Sequence, residues 1–128
     1  MPSEPERNLC EYAVVRYVPS VERGEYVNVG LVMMCKRRRW LQCRFHLDEK
    51  RILALFPASD VALLERQLSS FGRIAQGDRS PIGMLEAHER FRWLTAVRSA
   101  SISTSRPHPA LCNDPEEAFE KLFNALIL

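Results

Sequence analysis

The chain has 128 residues, 46% of them hydrophobic and 27% charged, with a formal net charge of +2; this composition is ordinary for a globular protein and predicts one domain over residues 1–128. The longest apolar run, residues 29–35, is too short to cross a bilayer, which argues against an integral membrane protein. The N-terminal octapeptide MPSEPERN lacks the basic and apolar regions of a signal peptide, so we expect a cytoplasmic protein with no membrane association, in which residues 1–8 form a flexible tail.

Three strands are predicted in the N-terminal third of the chain. Residues 10–18 are rich in β-branched and aromatic side chains and stop at Pro19. Residues 25–36 form a second apolar run, and residues 40–47 alternate between apolar and polar side chains. Because short connections join the three runs, we expect a meander of antiparallel strands.

The register of the second and third strands follows from matching their apolar faces, since a one-residue slip moves every side chain to the opposite face. A three-residue turn at residues 37–39 pairs Met33 with Cys43 and matches those faces. The reverse face is then polar, and it carries four candidate site residues: Asn28, Gly30, Arg44 and His46. Arg16 joins them if the first strand is a neighbour. This face is either a binding site, in which Gly30 leaves a gap for a ligand, or a solvated or helix-covered surface.

Four helices are predicted after the strands. Apolar residues recur at helical spacing in segments that begin at Asp48, Ser59, Met84 and Asp114. The first of these segments runs through Phe56, and the third ends at Leu94. Between the third and fourth, residues 99–112 contain Pro107 and Pro109, which predicts an edge strand or an ordered loop. Strands followed by helices predict an α+β fold: an antiparallel sheet built from an N-terminal three-stranded meander, with helices packed on one face.

The sequence contains little that indicates a metal or cofactor. Its four cysteines are far apart and form no C-x-x-C pair, which favours buried thiols over a metal site or a disulfide: Cys10, Cys35, Cys43 and Cys112. A Gly-rich phosphate loop, a G-x-S-x-G motif and an H-E-x-x-H motif are all missing from the sequence. We therefore expect no cofactor and no metal.

Basic residues are concentrated in the middle of the chain, where residues 36–106 hold 14 basic and seven acidic side chains. The segment KRRRW, residues 36–40, places a basic turn beside an aromatic side chain, an arrangement that suits phosphate contact and base stacking. The candidate nucleic-acid contacts are Arg37, Arg38, Arg39 and Trp40. Turns are also commonly charged because they are solvated, and both interpretations stay open.

Two histidines, His46 and His108, are candidate acid–base groups of a small metal-independent nuclease, because imidazole titrates near neutrality. A further hypothesis is an enzyme that binds a small anionic substrate through Arg16, Arg98 and the Ser/Thr-rich residues 99–105. The same Ser and Thr residues are equally consistent with turn chemistry.

Arg23 and Glu25 flank Gly24 and are predicted to form a local ion pair around a turn, with a functional role as the alternative. They also lie in one of two segments that resemble a known family. YAVVRYVPSVERGEYVNVGLV, residues 12–32, and ERFRWLTAVRSASISTSRPHPALCNDPEEAFEKLF, residues 89–123, are similar to the bacterial domain-of-unknown-function family numbered three thousand and thirty-seven.

The resemblance covers nearly the whole chain and implies a set of signature positions on a shared surface: Arg16, Arg23, Glu25, Asn28, Gly30, Arg90, Arg98 and His108. The family brings no established activity or catalytic residue. Its members are often encoded beside kinases similar to the HipA type, which implies a partner or accessory role, with a HipA-like kinase as one candidate partner.

Two functional hypotheses result from these observations. The preferred one is a non-enzymatic binding or accessory module for a protein partner. The alternative is a nucleic-acid-binding protein or small metal-independent nuclease that uses the basic middle segment. Whether the protein is an enzyme stays open, although the lack of a catalytic motif favours the non-enzymatic hypothesis.

Overall fold

The computed structural model describes residues 7–20, 22–96 and 101–128. Its elements in chain order are β1 (Asn8–Ser20), β2 (Glu25–Cys35), β3 (Trp40–Phe45), α1 (Glu49–Leu55), α2 (Val61–Gln76), α3 (Ala87–Leu94), β4 (Ile102–Thr104), β5 (His108–Cys112) and α4 (Pro115–Leu126). The five strands form one antiparallel sheet in the order β3-β2-β1-β4, with β5 also paired to β1. The predicted N-terminal meander and the α+β class are confirmed. Every helix among the described residues is too short or too polar to cross a bilayer.

The helices cover both faces of the sheet, whereas the sequence predicted helices on one face. One core packs β1 and β2 side chains such as Val15 and Val32 against Ile52, Leu64 and Phe91 of α1, α2 and α3. The second core lies on the reverse face, where α4 packs against β1 and β2. Its buried residues include Cys10, Val14, Leu31, Met33 and Cys35 of the strands and Phe119 and Phe123 of α4. Both faces of β2 are therefore buried, which explains why its sequence is apolar at nearly every position.

The predicted register of β2 and β3 is wrong by one residue. Gly30 pairs with Phe45, and Val32 pairs with Cys43, because residues 36–39 form a four-residue turn with Arg39 at a positive φ of 51°. Val29 of β2 forms a β-bulge, because Gly30 pairs with Val15 and Asn28 pairs with Arg16, which leaves Val29 as an extra residue. The bulge changes which face of the sheet the later residues of β2 occupy. Because β2 is apolar on both sides, matching apolar faces could not distinguish the two registers.

The helix starts follow their capping residues. The Asp48 carboxylate accepts a hydrogen bond from Arg51 N, and that of Asp114 accepts bonds from the backbone of the first turn of α4. The cap of α2 is Asp60 and not the predicted Ser59, whose hydroxyl instead accepts a hydrogen bond from Tyr17. The third helix begins at Ala87, three residues later than predicted.

The predicted N-terminal tail overlaps the sheet. Residues 1–6 lie outside the described residues, but Asn8 begins β1 and is buried. Its side-chain amide donates hydrogen bonds to the carbonyls of Cys112 and Asn113, so the sheet begins at Asn8, within the segment for which a tail was predicted. The proline-containing segment forms the edge strands β4 and β5, consistent with the predicted edge position.

Candidate functional site

The signature positions of β1 and β2 meet where these two strands are joined. We call this region, residues 16–20 and 22–28, the hairpin end. Gly24 has a positive φ of 67° in the connecting turn. Beside it, Arg23 Nη2 lies 2.9 Å from Glu25 Oε1, so the predicted local ion pair is present. Both side chains are largely exposed, at 73% and 50%, so each can be reached by a partner.

A cavity of about 420 Å³ opens between the hairpin end and the connection from α1 to α2. Its lining combines apolar side chains with the charged pair: Tyr17, Pro19, Ser20, Arg23, Glu25, Leu55, Phe56, Pro57, Ala58, Ser59 and Asp60. Tyr17 is held in place by its hydroxyl, which donates a 2.8 Å hydrogen bond to Ser59, and by an edge-on contact with Phe56. An apolar recess with a few polar groups at its rim is typical of a binding site.

On the reverse face of the hairpin end, Arg16 and Asn28 lie directly opposite each other on β1 and β2. The Arg16 guanidinium stacks on Tyr26, 4.2 Å from the ring centroid, and the Asn28 amide donates to Leu126 O at 3.3 Å. Within the described residues, Arg16 Nε and Asn28 Oδ1 are buried and lack a hydrogen-bond partner. One donor and one acceptor are thus left for water or a ligand.

Gly30 does not leave an open gap. It faces the core opposite to the Asn28 side, and Phe45 packs directly on it: a β-carbon at Gly30 would lie 2.5 Å from Phe45 Cδ1 and 2.9 Å from Arg44 O. The glycine is required by the ring of its cross-strand neighbour, so the close approach that the sequence predicted is made within the chain itself.

Arg44 is engaged by α4. Its guanidinium bonds both carboxylate oxygens of Glu120, at 2.8 and 2.5 Å, and lies 5.2 Å from the ring centroid of Phe119 and 5.1 Å from that of Phe123. The hydrogen bond to Glu120 raises the pKa of Arg44, and the same bond lowers the pKa of the Glu120 carboxyl. Arg44 therefore fixes α4 to the sheet and is not part of an open polar face.

The two histidines do not converge. His46 follows β3 and is exposed, and its backbone N–H donates to Val29 O at 2.8 Å. His108 is on β5, where its ring lies 5.4 Å from that of Tyr12. Since β2 and β1 separate β3 from β5, the backbone positions of the two histidines are at least about 14 Å apart, at about 4.8 Å per strand spacing. They cannot share a proton-transfer site, so the predicted acid–base pair is not assembled.

Arg90 supports the fold at the end of α2. Its guanidinium donates to Leu85 O at 2.5 Å and to Ala75 O at 3.4 Å, tying the helix end to the following loop. Arg98 lies outside the described residues, and so does its part in the hypothesis that Arg16, Arg98 and the Ser/Thr-rich segment bind a small anionic substrate. On β4, Ser103 is the cross-strand partner of Arg16 and is half-buried.

The basic turn lies at the other end of the sheet from the hairpin end. Its residues 36–39 are exposed, which leaves their charges accessible to an anionic partner. Trp40 is half-buried and packs edge-on against Phe119, with ring centroids 6.4 Å apart. Stacking on a nucleotide base would compete with this contact to α4.

One group with metal-ligand chemistry escaped the sequence prediction. At the start of α3, ligand atoms of Glu86, His88 and Glu89 all lie within 4.8 Å of one another, and His88 Nδ1 is 3.5 Å from Glu86. One imidazole nitrogen and two carboxylates suit a divalent cation. The i and i+3 spacing of Glu86 and Glu89 is the sequence signal, although exposed carboxylates at this spacing are also common ion-pair partners.

Comparison with known proteins places the chain in a family. The searches of curated proteins and of solved structures gave no significant match. A family model described as "Protein of unknown function (DUF3037)" matches residues 12–127, which include the hairpin end, the basic turn and all four helices. The match thus covers both segments on which the resemblance rested. The chain belongs to the DUF3037 family.

Proposed function

We propose that this protein is a non-enzymatic accessory module that binds a protein partner through the cavity at its hairpin end. The observation that carries the proposal is the cavity of about 420 Å³ in which apolar walls meet the exposed Arg23–Glu25 pair. Leu55, 54% exposed, adds an apolar contact at the same opening. Apolar anchors surrounded by a charged rim are the usual anatomy of a protein–protein interface.

The proposed partner is a HipA-like kinase, the candidate that the family resemblance implies. The proposal includes a cytoplasmic location, and it is supported by the wide spacing of the four cysteines, since secreted disulfide scaffolds have a denser cysteine pattern in a shorter chain. A binding role also agrees with the separation of the two histidines, which leaves neither with the other as a catalytic partner.

The test is a titration of the purified protein with a purified HipA-type kinase. Leu55→Asp and Arg23→Glu are each expected to weaken binding by about tenfold or more, because each removes a contact at the cavity. The matched control is Leu111→Asp, which changes a leucine of similar exposure, 65%, on β5. It should bind as the wild type does.

A double variant separates the interface from the local fold. Arg23→Glu with Glu25→Arg keeps an ion pair across the turn but reverses the charges that the partner meets. Weak binding by this variant would support charge recognition at the rim. Absence of binding by the wild-type protein at both low and high salt would contradict the proposal, as would equal weakening by Leu111→Asp.

A second candidate function is nucleic-acid binding through the exposed basic turn, residues 36–39. It predicts salt-sensitive binding to DNA or RNA that Arg37→Ala with Arg38→Ala weakens, since each phosphate contact releases counterions. Electrophoretic mobility shifts at about 50 and about 200 mM salt measure this salt dependence. Binding that the double substitution leaves unchanged would eliminate this candidate.

A further inference from the structure

Three cysteines that are far apart in sequence come together under α4. Cys10 lies on β1, Cys35 on β2 and Cys112 on β5, and all three side chains point into the core that α4 covers. Cys10 Sγ is 3.1 Å from Cys112 Sγ. Cys35 is a second thiol neighbour of Cys10. Cys43 faces the opposite core and is separated from this cluster by the sheet.

The contact between Cys10 and Cys112 follows from the strand pairing. Cys10 is paired with Ala110, and Cys112 is paired with Asn8, so the two cysteines are diagonal neighbours on one face of β1 and β5. Their sulfurs are about 1 Å farther apart than in a disulfide bond of about 2.04 Å. A small movement at the edge strand β5 would close the bond.

The two thiols differ in access. Cys10 is 1% exposed, and burial raises the pKa of its thiol well above the usual value of 9.0. Cys112 is half-buried and lines a surface recess of about 190 Å³ at the start of α4, with Asn113, Glu117 and Lys121 among its neighbours. A small oxidant can therefore reach Cys112 first, while Cys10 stays protected until Cys112 has reacted.

We propose that Cys10 and Cys112 are a peroxide-reactive pair that forms an intramolecular disulfide joining β1 to β5. Hydrogen peroxide transfers one oxygen to the Cys112 sulfur; the O–O bond breaks, and the hydroxide leaves as water with the proton of that thiol. The Cys10 sulfur then attacks the Cys112 sulfur, the S–O bond breaks, and the second hydroxide leaves as water with the Cys10 proton. The two thiols lose two electrons in total, and the peroxide gains them.

The test treats the folded full-length chain with equimolar hydrogen peroxide, blocks the remaining thiols after denaturation, and maps the peptides by mass spectrometry. The expected result is a peptide pair joined through Cys10 and Cys112, a mass decrease of about 2 Da, and a fall from four to two titratable thiols. The matched control, Cys43→Ser, should leave the linked pair unchanged. Cys10→Ser should stop the reaction at a Cys112 sulfenic acid, which dimedone captures.

Because Cys10 is buried, circular dichroism must show that Cys10→Ser is folded, and Cys112→Ala is the second variant. In Cys112→Ala, all three remaining thiols should resist equimolar peroxide, since the accessible member of the pair is missing. Formation of a Cys10–Cys35 disulfide in either the wild type or this variant would overturn the proposal. So would four unreacted thiols in the wild type, or linkage between two chains on a non-reducing gel.

Discussion

At the scale of single residues, the polar positions of β2 have separate explanations. Asn28 lies on the α4 side, where its amide reaches Leu126 O, whereas Gly30 faces the other core beneath Phe45. The bulge at Val29 places them on opposite faces. In a regular strand, residues i and i+2 lie on the same face, and the sequence prediction relied on this rule. A bulge inserts one extra residue, so the rule fails for Asn28 and Gly30.

Gly30→Ala tests whether close packing explains the glycine. The new methyl group would meet both the Phe45 ring and the Arg44 carbonyl, so we expect the free energy of unfolding to fall by about 1–3 kcal/mol. Urea denaturation measures the change. In a Phe45→Leu background the loss should be smaller, because part of the crowding is relieved. Equal losses in the two backgrounds would show that the ring is not the cause.

Glu120→Gln tests the ion pair that holds α4. Its hydrogen bond to Arg44 lowers the pKa of Glu120 from the ordinary 4.5, so the carboxylate stabilises the fold above pH 4.5 and loses this contribution as the pH falls through the lowered value. The variant should therefore be less stable than the wild type at pH 7, and the difference should shrink as the pH falls below 4.5 and through the lowered pKa.

Urea denaturation across this pH range measures the difference. Glu117→Gln, which changes an exposed carboxylate paired with Lys121 on the same helix, is the control and should have little effect. A Glu120→Gln effect of constant size at every pH would contradict the role of the Arg44 pair.

At the scale of elements, capping residues and hydrophobic periodicity were sufficient to predict three strands, four helices and the edge position of the proline-rich segment. The register of β2 and β3 was not predictable in the same way, because β2 is buried on both faces and offers an apolar match in either register. The turn residue that decides between them is Arg39, a type that seldom adopts positive φ.

Arg39→Gly should therefore stabilise the protein, by a few tenths to about 1 kcal/mol, because glycine adopts positive φ without the steric cost of a β-carbon. Thermal unfolding measures the gain. Arg38→Gly is the matched control: it removes the same charge from the same turn at a residue without positive φ, and it should be neutral or destabilising. Equal effects of the two substitutions would point to charge and not to backbone conformation.

At the scale of the whole molecule, helices on both faces of the sheet restrict where a partner can bind. The hairpin end and the basic turn lie at opposite ends of the sheet, and each keeps charged side chains exposed. The sequence indicated residues at both ends, but the cavity was not predictable from it. Leu55 and Pro57 line the cavity because α1 ends beside the hairpin end in the folded chain. Chain segments distant in sequence form this site, and their proximity depends on tertiary packing.

Hydrogen–deuterium exchange of the protein, alone and with the HipA-type kinase, tests most directly whether the hairpin end is the binding surface. Partner binding shields backbone amides from solvent, so residues 17–20, 22–25 and 55–60 should exchange more slowly in the complex, while residues 36–40 should be unchanged. Protection confined to residues 36–40, or unchanged exchange at the hairpin end in a saturated complex, would contradict the proposed function.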